Sequence, residues 1–286
     1  MQLYLINKNN EELDLLNNKS RFILKSVDGL HGIDTMISEN ESPYMDGTNV
    51  EYVKAFPRQI ELTFILRGNI KDSIDYFTRY VKSKQYVTLR EVENGRDISI
   101  TGIATIPPYS RMMRSCEITL TIYCGQPYWI DTNYTVGIID TVIDLLTFPV
   151  NGQYFTINGQ ALGEITNSLV KNFENNGDTA VGAVFVIEAT DNVTNPQINC
   201  TSGEQQGWYM RLDMTLKAGD QVVISTVKGD KYITKNGITS SDILNALKFN
   251  GTDWLQLEQG ANIFSVSATV GANNIYFNTT FKRMYE

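Results

Sequence analysis

Histidine is almost absent from this 286-residue chain, which has a single one, His31. Zinc sites built from several histidines are therefore excluded, and a Ser-His-Asp or Cys-His catalytic arrangement would have to use this one residue. His31 stands between Gly29 and Gly32 in a predicted loop, and the GxSxG turn that presents a nucleophilic serine is missing. A solvated or hydrogen-bonded loop histidine is the simpler interpretation.

Motifs for phosphate and nucleotide binding are missing as well. Neither GxxxxGK[ST] nor GxGxxG occurs, so phosphate-cradle and dinucleotide sites have no support. Asp191, Asn192 and Asn195 depart from EF-hand spacing and are typical of a polar turn. Carboxylate pairs for glycoside hydrolysis stay open, because their separation depends on the fold and 32 acidic residues offer chance candidates. The sequence predicts no cofactor, no metal site and no enzymatic activity.

Cysteine is scarce, with only Cys116, Cys124 and Cys200 in the chain. The first two share a predicted strand, and at about 3.3 Å per residue their eight-residue separation is far beyond disulfide reach. Because the number of cysteines is odd, we expect reduced, buried thiols. The N-terminal string MQLYLINKNN lacks the parts of a signal peptide, so folding in a cytoplasm is expected.

Long apolar runs are also lacking, and none approaches the roughly 20 residues of a membrane-spanning helix. Apolar residues make up 42% of the chain and charged residues 20%, which is typical of a globular protein with about two domains. Residues 1–130 hold 15 Lys and Arg against 16 Asp and Glu, whereas residues 131–286 hold 9 against 16. The acidic second half disfavours nucleic-acid binding, which depends on cationic patches.

The first half alternates between strand patterns and one helical pattern. Apolar and mostly polar residues alternate over 59–66, as in a half-buried strand. From Asn69 the period becomes helical, which predicts a helix over 70–83. The Asn94-Gly95 pair between two further strand patterns predicts a β-hairpin. Residues 1–130 are therefore expected to form a sheet-rich domain with one helix packed on it.

A polar stretch from Asp28 to Thr48 interrupts this pattern. Its second part reads ENESPYMDG, in which Asp46-Gly47 signals a tight turn. A loop or two-stranded arm of this length inside a compact domain is usually functional or mobile.

The second half is predicted to be all-β. Residues 131–166 are less regular and are treated as a connector, whereas 167–286 contain short strand patterns with regular turn signals, as in a β-sandwich. Trp208 shares an alternating face with buried-type residues and is expected in the core. Trp254, in the string NGTDWLQL, is the candidate exposed contact aromatic, although core packing is the simpler interpretation.

Two stretches, taken in order, carry a family resemblance. The first is FPRQIELTFILRGN at 56–69, followed by the helix, the hairpin and a strand ending in ITLTIYCGQPYW at 118–129. The second is NNGDTAVGAVFVIEATDNVTNPQI at 175–198, continued by LKAGDQVVISTVKGDKYI at 216–233 and LEQGANIFSVSA at 257–268. Together they make the chain resemble the distal tail protein (Dit) family of long-tailed, non-contractile bacteriophages.

The resemblance implies a mainly β architecture. Residues 1–130 would form a tail-tube-like domain that assembles into a hexameric ring around a DNA-wide channel. The connector 131–166 would lead to a galectin-like or carbohydrate-module-like sandwich at 167–286 on the outer side. The implied function is that of a structural virion protein, located in the tail, that joins the tail tube to the tail tip or baseplate and anchors host-adhesion components.

The resemblance also implies partners and contact residues. The partners are further copies of the chain, the tail tube protein, a tail-tip or tail-associated protein, and receptor-binding or baseplate proteins, with no membrane and no sequence-specific nucleic acid. Residues 35–57 fall where the family carries an arm that contacts the neighbouring subunit. The candidate intersubunit residues are Tyr44, Met45, Asp46 and Gly47.

A different function class remains as an alternative. The C-terminal sandwich and Trp254 also fit a cell-surface or carbohydrate-binding adhesion module. Of the residues that bind sugar in galectins, only the fragment Asn195-Pro196 is matched, and no histidine lies in the second half. A galectin-like shape would therefore not imply galectin-like binding.

Overall fold

The structure, a computed structural model, describes residues 1–17, 22–41, 46–106, 117–136, 141–144, 163–166 and 169–286. Within these ranges the chain is mostly β and built from antiparallel sheets, so the predicted mainly β fold class is confirmed. Cys116, the candidates Tyr44 and Met45, and most of the predicted connector lie outside the described residues.

The chain divides into two compact units, Met1–Asn133 with Met284–Glu286, and Tyr134–Arg283. The predicted domains at 1–130, 131–166 and 167–286 remain a prediction about folding units. One difference is plain: the sequence places the last three residues in the second domain, whereas they belong to the first compact unit. The reason is strand pairing, because Trp129 and Tyr285 are direct partners in an antiparallel ladder.

The first part of the chain, up to Asp131, contains these elements: β1 Gln2–Ile6, β2 Glu12–Asp14, β3 Phe22–Asp28, β4 Thr35–Glu41, β5 Thr48–Ala55, β6 Arg58–Leu66, α1 Ile70–Tyr80, β7 Gln85–Glu93, β8 Arg96–Thr105, β9 Glu117–Cys124 and β10 Trp129–Asp131. The rest contains these: β11 Thr135–Val136, β12 Thr141–Asp144, β13 Gly163–Thr166, β14 Val170–Asn175, β15 Val181–Ala189, β16 Val193–Thr194, β17 Gln197–Cys200, β18 Tyr209–Leu212, β19 Thr215–Leu216, β20 Gln221–Ser225, β21 Tyr232–Lys235, α2 Ser241–Ala246, β22 Leu247–Phe249, β23 Gln256–Leu257, β24 Gly260–Ser267, a 3₁₀ turn Ala272–Asn274, β25 Ile275–Phe281 and β26 Met284–Tyr285.

The first unit is organised around one antiparallel sheet in the order β2-β1-β7-β8-β9-β6-β3. β10 pairs with β8 and with β26 at the side of this sheet. The predicted hairpin is present between β7 and β8, where Asn94 and Gly95 have φ angles of 51° and 81°. Positive φ at both turn positions matches the right-handed twist of the flanking strands, which explains the Asn-Gly pair.

The core of the first unit lies between this sheet and α1. Alternate side chains of β6, among them Leu62 and Phe64, are fully buried, as the period-2 pattern predicts. The Phe77 ring on α1 lies 5.4 Å from the rings of Phe22 and Phe64. The predicted cap is also present, because the Asn69 side chain accepts a hydrogen bond from the backbone N–H of Lys71.

The helix is shorter than the 70–83 predicted from the sequence. It ends at Tyr80, and Val81 is extended with φ −118°, although its N–H still donates to the carbonyl of Phe77. The Val81 side chain is buried in the core, and Lys84 adopts a positive φ of 69° before β7 begins. The chain must therefore leave the helix early to enter the sheet, and helical periodicity alone does not show this.

Tyr80 fastens the end of α1 to the β1–β2 hairpin. Its buried hydroxyl donates to the carbonyl of Leu5 at 2.6 Å and contacts the carbonyl of Glu11. The Asn7 side chain donates to the carbonyl of Tyr80 at 3.3 Å. Burial, followed by the charge of Glu11, raises the pKa of Tyr80, so the hydroxyl stays protonated as a donor.

The second unit is a two-layer sandwich. One sheet has the order β11-β25-β15-β20-β21, and the other has the order β14-β24-β17-β18-β22. Phenylalanines from the two layers interdigitate, with Phe185 of β15 5.4 Å from Phe264 of β24, and Phe277 of β25 6.4 Å from Phe173 of β14. This alternation of inward-facing aromatic residues is how two sheets bury a common core.

A carboxylate network closes the turn that precedes β20. Asp220 accepts a hydrogen bond from the backbone N–H of Lys217 at 2.8 Å and from the Asn236 side chain at 2.9 Å, and it pairs with Lys235 at 2.8 Å. The Lys217 N–H is the largest cause, and together these donors lower the pKa of Asp220 to about 2.

Removing the Tyr80 hydroxyl should destabilise the first unit. Tyr80→Phe removes the hydroxyl that donates to the buried carbonyl of Leu5, so we expect the free energy of unfolding to fall by about 1–2 kcal/mol. Urea unfolding followed by circular dichroism measures this change. Tyr86→Phe, at an exposed position of β7, is the matched control and should shift the midpoint little. Equal midpoints for Tyr80→Phe and the wild-type chain would show that the hydroxyl is dispensable.

The Asp220 network should contribute stability that depends on pH. Because the folded pKa is depressed to about 2, the contribution is complete above the unfolded pKa of about 4 and is lost as pH falls toward 2. Asp220→Asn should therefore lower the unfolding midpoint at pH 6, and its difference from the wild-type chain should shrink between pH 4 and pH 2. Asp230→Asn, at an exposed turn, serves as the control. A difference that is constant across this range contradicts the assignment.

Candidate functional site

A two-stranded hairpin stands apart from the main sheet of the first unit. β4 and β5 pair with each other from Thr35↔Ala55 to Glu41↔Thr48, with a register shift beside Ser38. In the described part of the chain they form a sheet of their own. We call residues 35–55 the arm; they lie within residues 35–57, the segment that the family resemblance predicts as an intersubunit arm.

The described residues of the arm bury almost none of their side chains in their own unit. Ile37 and Val53 are direct cross-strand partners and are 52% and 60% exposed, while Val50 on the same face is 57% exposed. Met36 and Tyr52 are exposed on the other face. An isolated two-stranded hairpin is at best marginally stable in water, and exposed apolar clusters mark contact surfaces. The arm therefore has the physical character of a segment that another chain covers.

The turn of the arm is acidic. The arm contains Glu39, Glu41, Asp46 and Glu51 against a single basic residue, Lys54, for a net charge of −3. Thr48 donates to Glu39 at 2.9 Å, and Ser38 contacts Glu51 at 3.4 Å. Of the predicted contact residues, Asp46 and Gly47 lie exposed in the turn, and Gly47 has a φ of 87° that favours glycine.

A cavity of about 260 Å³ lies at the base of the arm, between the loop 29–34 and residues 56–59. Arg58, the first residue of β6, lines it and is only 5% exposed. Its Nη1 donates to the carbonyl of Leu30 at 2.5 Å, which also accepts from the Trp129 indole at 3.0 Å. Among the described residues, its Nε and Nη2 have no hydrogen-bond partner. Burial lowers the pKa of Arg58.

His31, the single histidine of the chain, lines this cavity and a second one. His31 lines the arm-base cavity and also a cavity of about 340 Å³ with Glu91, Glu93 and Arg96. Glu91 is 5% exposed, and its buried Oε2 has no partner in the described part of the chain. The sequence interpretation of His31 as a loop residue agrees with this position.

Sequence reasoning missed the burial of Arg58, although a signal for it exists. Arg58 is in phase with Ile60 and Leu62, the inward-facing residues of β6. The same alternation that identifies the strand therefore places a guanidinium in the apolar layer.

Trp254 is half-buried at an edge of the second unit. Its ring lies 6.3 Å from that of Phe249, and the Lys231 ammonium lies 5.6 Å over its ring. Lys231 in turn pairs with Asp253 at 2.8 Å. A face that carries a paired cation offers less room for a stacked sugar, and the contact role of Trp254 stays a prediction.

Two further limits apply to the described residues. No group of three His, Cys, Asp or Glu side chains in them is arranged to hold a metal ion. None of their helices is both long and apolar enough to cross a membrane.

Comparisons with known proteins give both a domain match and a fold match. Residues 176–285 match the family described as siphovirus-type tail component, C-terminal domain. No curated protein matches the chain. The structure of the SPP1 Dit (gp 19.1) protein, described as a paradigm of hub adsorption apparatus in Gram-positive infecting phages, has a TM-score of 0.67 at 13% identity over 99% of each chain.

A chain of the phage P2 baseplate in its activated conformation with Ca has a TM-score of 0.48 at 14% identity, covering 99% of this chain and 97% of that one. The predicted resemblance to distal tail proteins of long-tailed phages is therefore confirmed, through the siphovirus tail-component domain at residues 176–285 and through the SPP1 Dit fold of the whole chain.

Proposed function

We propose that this protein is the structural hub of a phage tail and that six copies form a closed ring. The observation that carries the proposal is the arm, whose exposed apolar faces need a covering chain. The whole-chain likeness to SPP1 Dit, a protein described as a hub of the adsorption apparatus, supports the same function.

In this proposal the first unit is the ring-forming, tail-tube-like domain around a channel through which DNA passes. The second unit is a galectin-like sandwich on the outer side. The hub joins the tail tube protein to a tail-tip or tail-associated protein and anchors receptor-binding or baseplate proteins. It acts as a structural component of the virion tail, assembled in the bacterial cytoplasm, without catalytic activity.

The distribution of charge supports this arrangement. Residues 1–130 carry 15 basic and 16 acidic residues, so copies of this part can pack closely without strong mutual repulsion. Residues 131–286 carry 9 and 16, and such an acidic surface favours a solvated position. The carbohydrate-binding alternative rests on the C-terminal sandwich and on Trp254, and the Lys231 ammonium over the Trp254 ring gives it no support.

Ring formation can be measured on the purified full-length chain. Six chains of 32.3 kDa give a particle of about 194 kDa by light scattering, and negative-stain images should show six-fold rings. A protein that stays monomeric at high concentration, alone and with its tail partners, would contradict the proposal.

Polar substitutions on the arm should break the ring and leave the monomer folded. Ile37→Asn with Val53→Asn removes an apolar pair that is exposed in the single chain, so the free energy of unfolding should change by no more than about 0.5 kcal/mol. The ring peak in sedimentation velocity should be replaced by monomer. Ile238→Asn, at a 68% exposed site in the second unit, is the matched control and should leave the ring intact. Rings that persist in the double arm variant would show that the apolar face of the arm is not needed for the contact between copies.

A further inference from the structure

We propose that three large side chains on the outer face of the main sheet, Tyr86, Ile103 and Tyr123, receive the arm of a second copy. We call these three residues the tyrosine row. The proposal rests on the ring function proposed above and names the surface that the arm covers. Two properties of the arm match this surface: its exposed apolar residues, and the carboxylates that follow them on the same face.

The tyrosine row crosses three neighbouring strands. Tyr86 of β7 is the direct partner of Ile103 of β8, and Ile103 is in turn the direct partner of Tyr123 of β9. Because side chains alternate along a strand, the adjacent residues Val87 and Ile122 point into the core that also contains α1. The row therefore lies on the face of the sheet that α1 does not cover.

This row is open to solvent in the single chain. Tyr86 is 65% exposed and Tyr123 is 49% exposed, while Ile103 between them is half-buried. Hydroxyl side chains border the row on the same face, namely Thr88, Thr101, Thr105 and Thr121. Tyrosines at the centre of a polar rim are typical of protein–protein contact surfaces.

One face of the arm carries both an apolar cluster and negative charge. Ile37 and Val53 are cross-strand partners, and Val50, the partner of Glu39, lies on the same face. Glu39 and Glu41 follow Ile37 at intervals of two residues, so strand alternation places both carboxylates on this face, toward the turn. The face therefore changes from apolar to acidic along the length of the arm.

The receiving surface has the same order with the opposite charge. Lys82 and Lys84 are exposed just before β7, and the backbone N–H of Lys84 donates to the carbonyl of Ala104 at 2.8 Å, next to Ile103. In the described part of the chain neither ammonium forms an ion pair. Apolar contact and opposite charges together would set the position and direction of a bound arm.

A contact between the arm and the tyrosine row also suits a closed assembly. Both surfaces are exposed in the single chain, so the contact is made between copies. The arm and the row are different surfaces of one unit, and they join two copies head to tail. Head-to-tail contacts generate rings when the rotation closes, and the same pairing then repeats at every interface.

The test uses two full-length variants with reversed charges, one on each surface. K82E/K84E places carboxylates beside the tyrosine row, and E39K/E41K places ammonium groups on the arm. In each variant alone the concentration for half-assembly should rise about tenfold or more, because like charges meet at every interface. An equimolar mixture should assemble within about threefold of the wild-type concentration, because opposite charges meet again when the two variants alternate around the ring.

The apolar part of the surface is tested by Y86T/Y123T, which keeps residues suited to a strand. This variant should also raise the concentration for half-assembly about tenfold. The melting temperature of the unassembled chain should change by no more than about 3 °C in all three variants, since the replaced side chains are exposed. If Y86T/Y123T fails to fold, the two charge variants and their mixture still decide the proposal.

R67E/K71E is the matched control for the charge reversals. It makes the same change of net charge at two exposed residues beside the start of α1. Its rings should form at the wild-type concentration, and mixing it with E39K/E41K should not restore assembly.

The outcomes distinguish this inference from the function on which it rests. A wild-type chain that never forms rings overturns the proposed function and this inference with it. Wild-type rings that persist unchanged in K82E/K84E and Y86T/Y123T overturn the inference alone. Two charge variants that fail to assemble both separately and as a mixture also overturn it, because the arm and the lysines then do not meet.

Discussion

Burial of one face of β6 is the constraint on which the first unit depends. This strand pairs with β3 on one side and β9 on the other, and its inward side chains form the layer against which α1 packs. A strand has a strict period of two, so the face that buries Ile60, Leu62 and Phe64 also buries Arg58. The core and the buried Arg58 side chain are thus consequences of one register, and a shift by one residue would expose both.

The local patterns were sufficient to predict much of this unit. Alternation located β6, the Asn69 cap located the start of α1, and Asn94-Gly95 located the β7–β8 turn, because each signal is set by neighbouring residues in the chain. The end of α1 was missed, since Val81 leaves the helix to fill a core position that only the sheet defines. Tertiary packing therefore ends the helix at Tyr80, before its apolar periodicity ends.

The candidate site was predictable in position but not in chemistry. The polar stretch with Asp46-Gly47 indicated the arm, and the family resemblance gave it a role. The cavity at its base depends on the loop 29–34 meeting β6, a contact between segments about 25 residues apart that no local pattern shows. Gly29 makes this approach feasible, since its φ is 75° and a Cβ there would lie 2.1 Å from the carbonyl oxygen of Gln59.

Because β26 pairs with β10, the second unit is inserted in the sequence between two strands of the first unit. Ile130 and Met284 are direct strand partners, so the 150 residues from Tyr134 to Arg283 form an insertion whose two ends begin from adjacent points of one sheet. A segment inserted in this way can be lengthened or exchanged by recombination without interrupting the ladder that receives it. The first unit supplies both strands of this junction, so a change in the length of the second unit leaves the pairing of β10 with β26 in place.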